Sequence, residues 1–190
     1  MSSGFFFGYG SLVNRGTHTY ANAQPARLQG WRRMWRKTDL REAAYLTVVP
    51  DEGCEIDGLV AGVPRDDWTS LDERERAYAR VSARHQVETT LPHDADLVVY
   101  AIKDGAHHPP DAQSPVLLSY IDVVVQGYLQ VFGAEGVARF FATTGGWDAP
   151  VLNDRAAPVY PRHQVLSARE QALVDDGLTR VNARVVQATR

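Results

Sequence analysis

The chain has a single cysteine, Cys54, among its 190 residues, so no disulfide can close within it and a disulfide framework is excluded as the source of its stability. Long hydrophobic runs are missing as well. Phe5 to Phe7 is far too short to span a bilayer, and no segment approaches the roughly 18 apolar residues that a membrane-crossing helix needs. Charge of one sign is also lacking: 20 Lys and Arg stand against 23 Asp and Glu, a net charge of -3 with mixed signs, which leaves no electrostatic case for nucleic acid. The amino terminus has no basic segment, apolar core and small-residue cleavage site of a secretory signal, and the cytoplasm is the expected location. Repeats, low-complexity tracts and interdomain linkers are absent too. With 44% apolar and 23% charged residues, the expectation is one folded domain over residues 1–190, in which 145–190 form a carboxy-terminal loop and helix extension.

What the chain does have is an apolar run that stops on glycine. Phe5-Phe6-Phe7 reads as a buried strand and leads directly into Gly8-Tyr9-Gly10-Ser11-Leu12. Glycine lets a ligand approach the main chain closely, and a loop at the tip of a strand presents unpaired backbone N–H groups, so this segment reads as an anion or oxyanion cradle. It is no phosphate-binding loop, because Gly-Lys-Ser/Thr does not follow, and no dinucleotide fingerprint, because the third glycine is missing. Read without its surroundings, it is equally a tight turn.

Ala26 to Lys37 and Tyr45 to Pro50 carry the aromatic and β-branched weight of strands. Asp51-Glu52-Gly53 is a turn signal before Ile56 to Val63, and together these predict a hairpin. Pro64-Arg65-Asp66-Asp67-Trp68 is expected to open a helix, with the capping-box spacing of Ser70 and Glu73 offering a later start. Val81 to Thr90 and Leu97 to Lys103 return to strand character. From Ser114 to Phe132 apolar residues, among them Val116, Tyr120, Val124 and Tyr128, recur at helical spacing, and a shorter helix is expected over Ala134 to Thr143. Asp148 to Gln164 reads as a long ordered loop, and Ser167 with Glu170 forms a capping box for a last helix reaching Arg180. Strands fill the first half and helices the second, which predicts an α+β fold on an antiparallel or mixed sheet.

On a helix from Pro64 to Tyr78, Trp68, Leu71, Glu75 and Tyr78 fall on one side, making Glu75 the acid of the apolar face. A carboxylate held against such surface loses hydration of its charged form and becomes able to take and return a proton near neutrality. The alternative is an ion pair with Arg74, Arg76 or Arg80 at the rim of the sheet.

Two segments in order, Tyr9-Gly10-Ser11-Leu12 and Leu71-Asp72-Glu73-Arg74-Glu75-Arg76-Ala77-Tyr78, resemble the motifs of the γ-glutamylcyclotransferase (AIG2-like and ChaC-like) superfamily. Ser119-Tyr120, opening a helical stretch that ends in Gly127, is a weaker third match, and the resemblance covers roughly residues 4 to 130. It implies a small mixed or antiparallel β-barrel flanked by helices, and a reaction without metal or cofactor. In that reaction the α-amine of a γ-glutamyl group attacks its own side-chain carbonyl, giving 5-oxoproline and releasing an amine, amino acid or peptide. Glu75 would be the general acid/base, with Tyr9, Gly10, Ser11 and Leu12 as the substrate cradle and Tyr120 as a positioning group. The implied partner is a small γ-glutamyl compound, with neither nucleic acid nor membrane; the alternative is a non-catalytic binding or regulatory module with the same pocket. Leu12 matches the glutathione-directed branch, whereas Arg76-Ala77 departs from that branch's Gly-Gly, so the leaving group stays open.

The remaining candidates read as structural. Trp31 to Lys37 interleaves aromatic and basic residues, which on a strand gives a core face and a solvated basic face. His107-His108, with His93, Asp94 and Asp96, lacks the spacing of a metal site and reads as a solvated loop. Cys54 has no nucleophile motif. Trp147 to Asp154 is expected to be either a lid or a packed carboxy-terminal wrap.

Overall fold

The computed structural model describes residues 4–64, 68–92, 95–103, 105–111 and 113–187, with Arg41 described through its backbone alone. The phenylalanine run forms β1 (Gly4–Gly8), with Phe6 and Phe7 fully buried. It lies between β3 (Arg41–Gly62), antiparallel, and β6 (Asp96–Ala101), parallel. A strand paired on both edges and covered on both faces has no polar side to alternate with, which explains three consecutive phenylalanines.

β3 is a single long strand that pairs with β2 (Gln24–Thr38). The hairpin expected over 45–63 is therefore corrected: both of its arms belong to β3, and the chain reverses at Asp39–Leu40, between Thr38 and Arg41. Residues 51–54 are instead an irregularity in the ladder, where pairing jumps from Gln29–Glu55 to Trp31–Pro50 opposite Gly30, whose φ is 77°. Turn-type residues serve a bulge as well as a reversal, and Asp51 steadies this one by accepting from the Gly53 N–H (3.3 Å) and from Arg32 Nε (2.7 Å).

β4 (Ala79–Ser82), β5 (Val87–Glu88) and β8 (Thr144–Gly145) complete a mixed sheet of order β4-β6-β1-β3-β2-β5, with β8 pairing β2. The α+β class expected from the sequence holds. The barrel does not: among the described residues the path of strands is open, ending at β4 and β5, because neither short end strand pairs with the other. A second, parallel sheet joins β7 (Val116–Leu117), β9 (Val151–Asn153) and β10 (Val185–Gln187).

The first helix, α1 (Thr69–Arg74), is shorter than the helix expected from Pro64 to Tyr78; Trp68 stands at its N-cap and makes no side-chain cap, and Glu75 is its C-cap. Of the expected opening, Arg65, Asp66 and Asp67 lie outside the described residues. Six residues cannot hold a helix by propensity alone. Leu71, fully buried against Phe6, Leu12, Val98 and Tyr100, anchors it, a burial worth about 2 kcal/mol. The second, α2 (Leu118–Ala142), joins the two expected helical stretches across a kink at Gly133, whose φ of 67° suits glycine. Gly127 lies inside α2 rather than at its end. The third, α3 (Ala168–Arg180), starts at the predicted capping box of Ser167 and Glu170.

On β2 the residues 31, 33 and 35 share a face, and Arg33 is as buried as Trp35, so the solvated basic face is corrected for Arg33. Its guanidinium is satisfied by Thr144 Oγ1 (3.0 Å), the Asp57 carbonyl (3.0 Å), Tyr128 Oη (2.7 Å) and Thr143, and it lies over the Tyr128 and Phe140 rings. The segment from Trp147 is a packed wrap, with Trp147, Ala149 and Val151 buried and Trp147 stacked on Phe141. No helix of the described residues is long and apolar enough to cross a membrane.

Candidate active site

After β1 the chain winds into a 3-10 turn over Ser11–Val13. The Val13 and Asn14 N–H groups bond back to Gly10 and Ser11 (3.0 and 3.1 Å), whereas the leading amides of such a turn have no acceptor within it. Leu12 turns its side chain into the core beside Phe6 and Leu71, so it offers the site its backbone. Asn14 fastens the turn to α2 by donating to the Val123 carbonyl (2.9 Å) and to Gln126 Oε1 (3.0 Å), beside Gly127. His18 lies against the Leu12 carbonyl (Nε2, 3.0 Å) and accepts from the Tyr20 N–H, and burial lowers its pKa.

Glycine at position 10 answers to close approach. A Cβ there would stand 2.5 Å from Tyr120 Oη and 3.5 Å from Leu46. Tyr120 Oη faces the Ser11 N–H at 3.4 Å, and its ring meets those of Trp35 and Tyr160 edge to face (5.9 and 4.9 Å).

Glu75 reaches the same place from α1. It lines a cavity of about 30 Å³ together with Tyr9, the Gly10–Leu12 loop, Tyr78, Tyr100 and Tyr120, room for about two ordered waters. Every site residue expected from the sequence is therefore brought to one cavity. The ion-pair alternative is present as well: Arg74 Nε lies 3.2 Å from Glu75 Oε1, with the two side chains 8% and 15% exposed. Pairing and placement coexist.

Arg74 is the residue that sequence reasoning undervalued. Beyond Glu75, it donates to Ser11 Oγ (3.1 Å), the Thr17 carbonyl (2.9 Å) and Thr17 Oγ1 (3.2 Å). It thus ties the acid to the glycine loop. Its only sequence signal is adjacency to Glu75, since the Ser11 and Thr17 partners are set by folding.

Tyr9 points inward, donating to the Tyr100 carbonyl (2.6 Å); burial, then the nearby Glu75 charge, raises its pKa well above the usual phenol value. Tyr100 donates to Asp72 Oδ1 (2.6 Å), and burial followed by that bond raises its pKa too. Both phenols stay protonated at neutral pH, leaving Glu75 as the carboxylate that lines the cavity. Tyr78 donates to the Leu46 carbonyl (3.0 Å) and also lines the cavity.

A wider groove of about 400 Å³ opens beside this cavity, sharing Tyr78 with it and lined by Arg74, Arg76, Arg162, Glu73 and Tyr45 among others. The carboxy-terminal wrap builds one wall. Asp154, buried, accepts from the Ser119 N–H (2.8 Å), Ser119 Oγ (2.5 Å) and the Val159 N–H (2.9 Å), and the Tyr160 N–H reaches Ser119 Oγ (3.3 Å). The first turn of α2, which carries Tyr120, is capped from a distant part of the chain.

No group of three or more metal-ligating side chains converges among the described residues; of the histidine and aspartate cluster weighed from the sequence, His93 and Asp94 lie outside them.

An α+β fold in which a glycine-rich turn and a glutamate face one small cavity defines the class. The model of the family "Gamma-glutamyl cyclotransferase, AIG2-like" matches residues 6–118, and the chain belongs to that family. Among solved structures it resembles the human protein loc79017 (TM-score 0.59, 17% identity, 92% of this chain and 99% of that one) and a gamma-glutamyl cyclotransferase (TM-score 0.57, 18% identity, 92% and 99%). It also resembles YkqA from Bacillus subtilis (TM-score 0.57, 16% identity), covering 73% of this chain and 53% of that one. At these identities the likeness is one of fold. No curated protein matches.

Proposed function

We propose that the protein is a cofactor-independent γ-glutamylcyclotransferase that cyclises a γ-glutamyl compound to 5-oxoproline. The observation that carries this reading is that Glu75 and the Gly10–Leu12 main chain line one cavity. An α-ammonium is no nucleophile until it loses a proton, and Glu75 is the cavity's carboxylate to take it. The freed amine attacks the side-chain carbonyl carbon of the same glutamyl group. The carbonyl oxygen gains negative charge as the ring closes, and the amides of the turn, with the Ser11 hydroxyl, are suited to receive it or the substrate's carboxylate. The bond to the departing nitrogen then breaks as Glu75 returns the proton to it, and the second surplus proton of the ring nitrogen passes to the same departing group, so that 5-oxoproline and an ammonium leave with Glu75 again a carboxylate.

Folding a flexible glutamyl chain back on itself is largely a matter of orientation. Tyr120, held between Trp35 and Tyr160, supplies a rigid wall, and Arg74 fixes the direction of the Glu75 carboxylate relative to the turn.

Purified protein given γ-glutamyl amino acids, γ-glutamyl amines and glutathione is expected to release 5-oxoproline from at least one, and Glu75→Gln to lower that release by about a hundredfold or more. Equal release by Glu75→Gln would refute the assignment of the base. Ligand-dependent shifts in melting temperature with no product from any of these compounds would identify a binding module instead.

A further inference from the structure

The inner cavity, about 30 Å³, suits a substrate's reacting end, and the neighbouring groove that shares Tyr78 with it has room for the rest of the molecule. That groove is unlike the cavity. It is lined by three guanidinium groups, Arg74, Arg76 and Arg162, against the single carboxylate of Glu73. Arg74 is already committed to Glu75, Ser11 and Thr17. Arg76 and Arg162 are exposed, and among the described residues the ion pairs of this region belong to Arg74, Arg80 and Arg155.

We infer that Arg76 and Arg162 read a carboxylate on the departing half of the substrate, so that the protein prefers a leaving group that is an amino acid or peptide over an uncharged amine. The inference rests on the cyclotransferase reading for which half departs. Neither arginine lines the inner cavity, so the anion they meet belongs to the end of the substrate farther from the Gly10–Leu12 turn. Guanidinium and carboxylate pair through two parallel hydrogen bonds, which favours a planar terminal carboxylate. The exposed Leu40 side chain and Tyr45 lie in the same groove and offer apolar surface for whatever the leaving group carries beside that charge. Arg162 comes from the wrap, beyond the residues 6–118 matched by the family model, so this specificity would be a property of the chain's own carboxy-terminal segment.

The test compares γ-glutamylalanine with γ-glutamylethylamide, which differ only in the leaving group's carboxylate. Calorimetric Kd values are measured on Glu75→Gln, where substrate persists, and kcat/KM on the parent. The acid is expected to bind about tenfold or more tightly than the ethylamide, with a ratio that narrows as salt rises. Arg76→Gln with Arg162→Gln should bring the two compounds to within about twofold by weakening the acid alone. Either single substitution should give part of that effect. Equal affinities in Glu75→Gln with both arginines in place, or a double arginine variant that weakens both compounds alike, would overturn the inference. A charge preference without 5-oxoproline would leave the carboxylate site standing and remove the cyclisation. Product from both compounds at equal efficiency would do the reverse, and binding of neither would end both.

Discussion

Residues 6–118 and the segment that follows build the pocket by opposite means. The first part supplies the glycine turn and Glu75 from a sheet whose strands are paired at many positions, with α1 pinned by one buried leucine. The later part brings Tyr120, then holds its ring with Tyr160 and the helical turn that carries it with Asp154. Groups suited to chemistry thus come from the sheet-built, family-matched portion, and the wall, Tyr120 of α2, is held by a strap through distant contacts. Changes at the glycine turn should alter turnover with stability intact, and changes at the clasp on α2 should alter both.

The sharpest probe sits where the two parts touch. Gly10→Ala would push a methyl into Tyr120 Oη, and about a hundredfold loss of kcat/KM is expected with little change in Tm. Adding Tyr120→Phe removes the hydroxyl that blocks the methyl, so the pair should recover part of the loss; a double variant no better than the single would show that the two segments do not meet there in solution. Next in size is Asp154→Ala, which leaves the Ser119 amide and hydroxyl without their acceptor. The cost is about 2 kcal/mol, a drop in Tm of about 6 °C, with a higher KM as Tyr120 loosens. An unchanged KM would mean that the strap supports the fold alone.

Smallest is the cap of α3. Ser167→Ala should cost about 1 kcal/mol by thermal melting and leave KM unaltered. Its partner Glu170 has a pKa lowered first by the Ser167 N–H. The carboxylate's contribution is therefore present above the usual glutamate range and disappears as pH falls through the lowered value. Melting curves of Glu170→Gln should run below the parent near neutral pH and converge with it in acid; divergence toward acid would contradict the sign.

How much of this was legible follows from how local each cause is. The capping box of α3 and the strand of three phenylalanines could be read because the partners are neighbours in sequence or the burial is complete. The coming together of Glu75 and the glycine turn was legible through two motifs in order. Arg33 was misjudged because a basic residue normally seeks water, although its parity with Trp31 and Trp35 had already put it on the core face. Asp51 to Gly53 misled because the same residue types serve a reversal and a bulge, and pairing with β2 decided between them. The length of α1, the bridging by Arg74 and the cap from Asp154 are set by contacts that no window of sequence contains. The open edge of the sheet is likewise a matter of which distant strands fail to meet.

The grip of Asp154 on Ser119 carries a consequence for the order of synthesis. A growing chain has made its glutamate and its glycine turn long before Tyr120 emerges, and Ser119 beside it waits for a clasp thirty-five residues further on. The enclosure is finished only after residue 154 has been made. Any catalysis that depends on it waits for Asp154, and copies that stop before that residue stay silent.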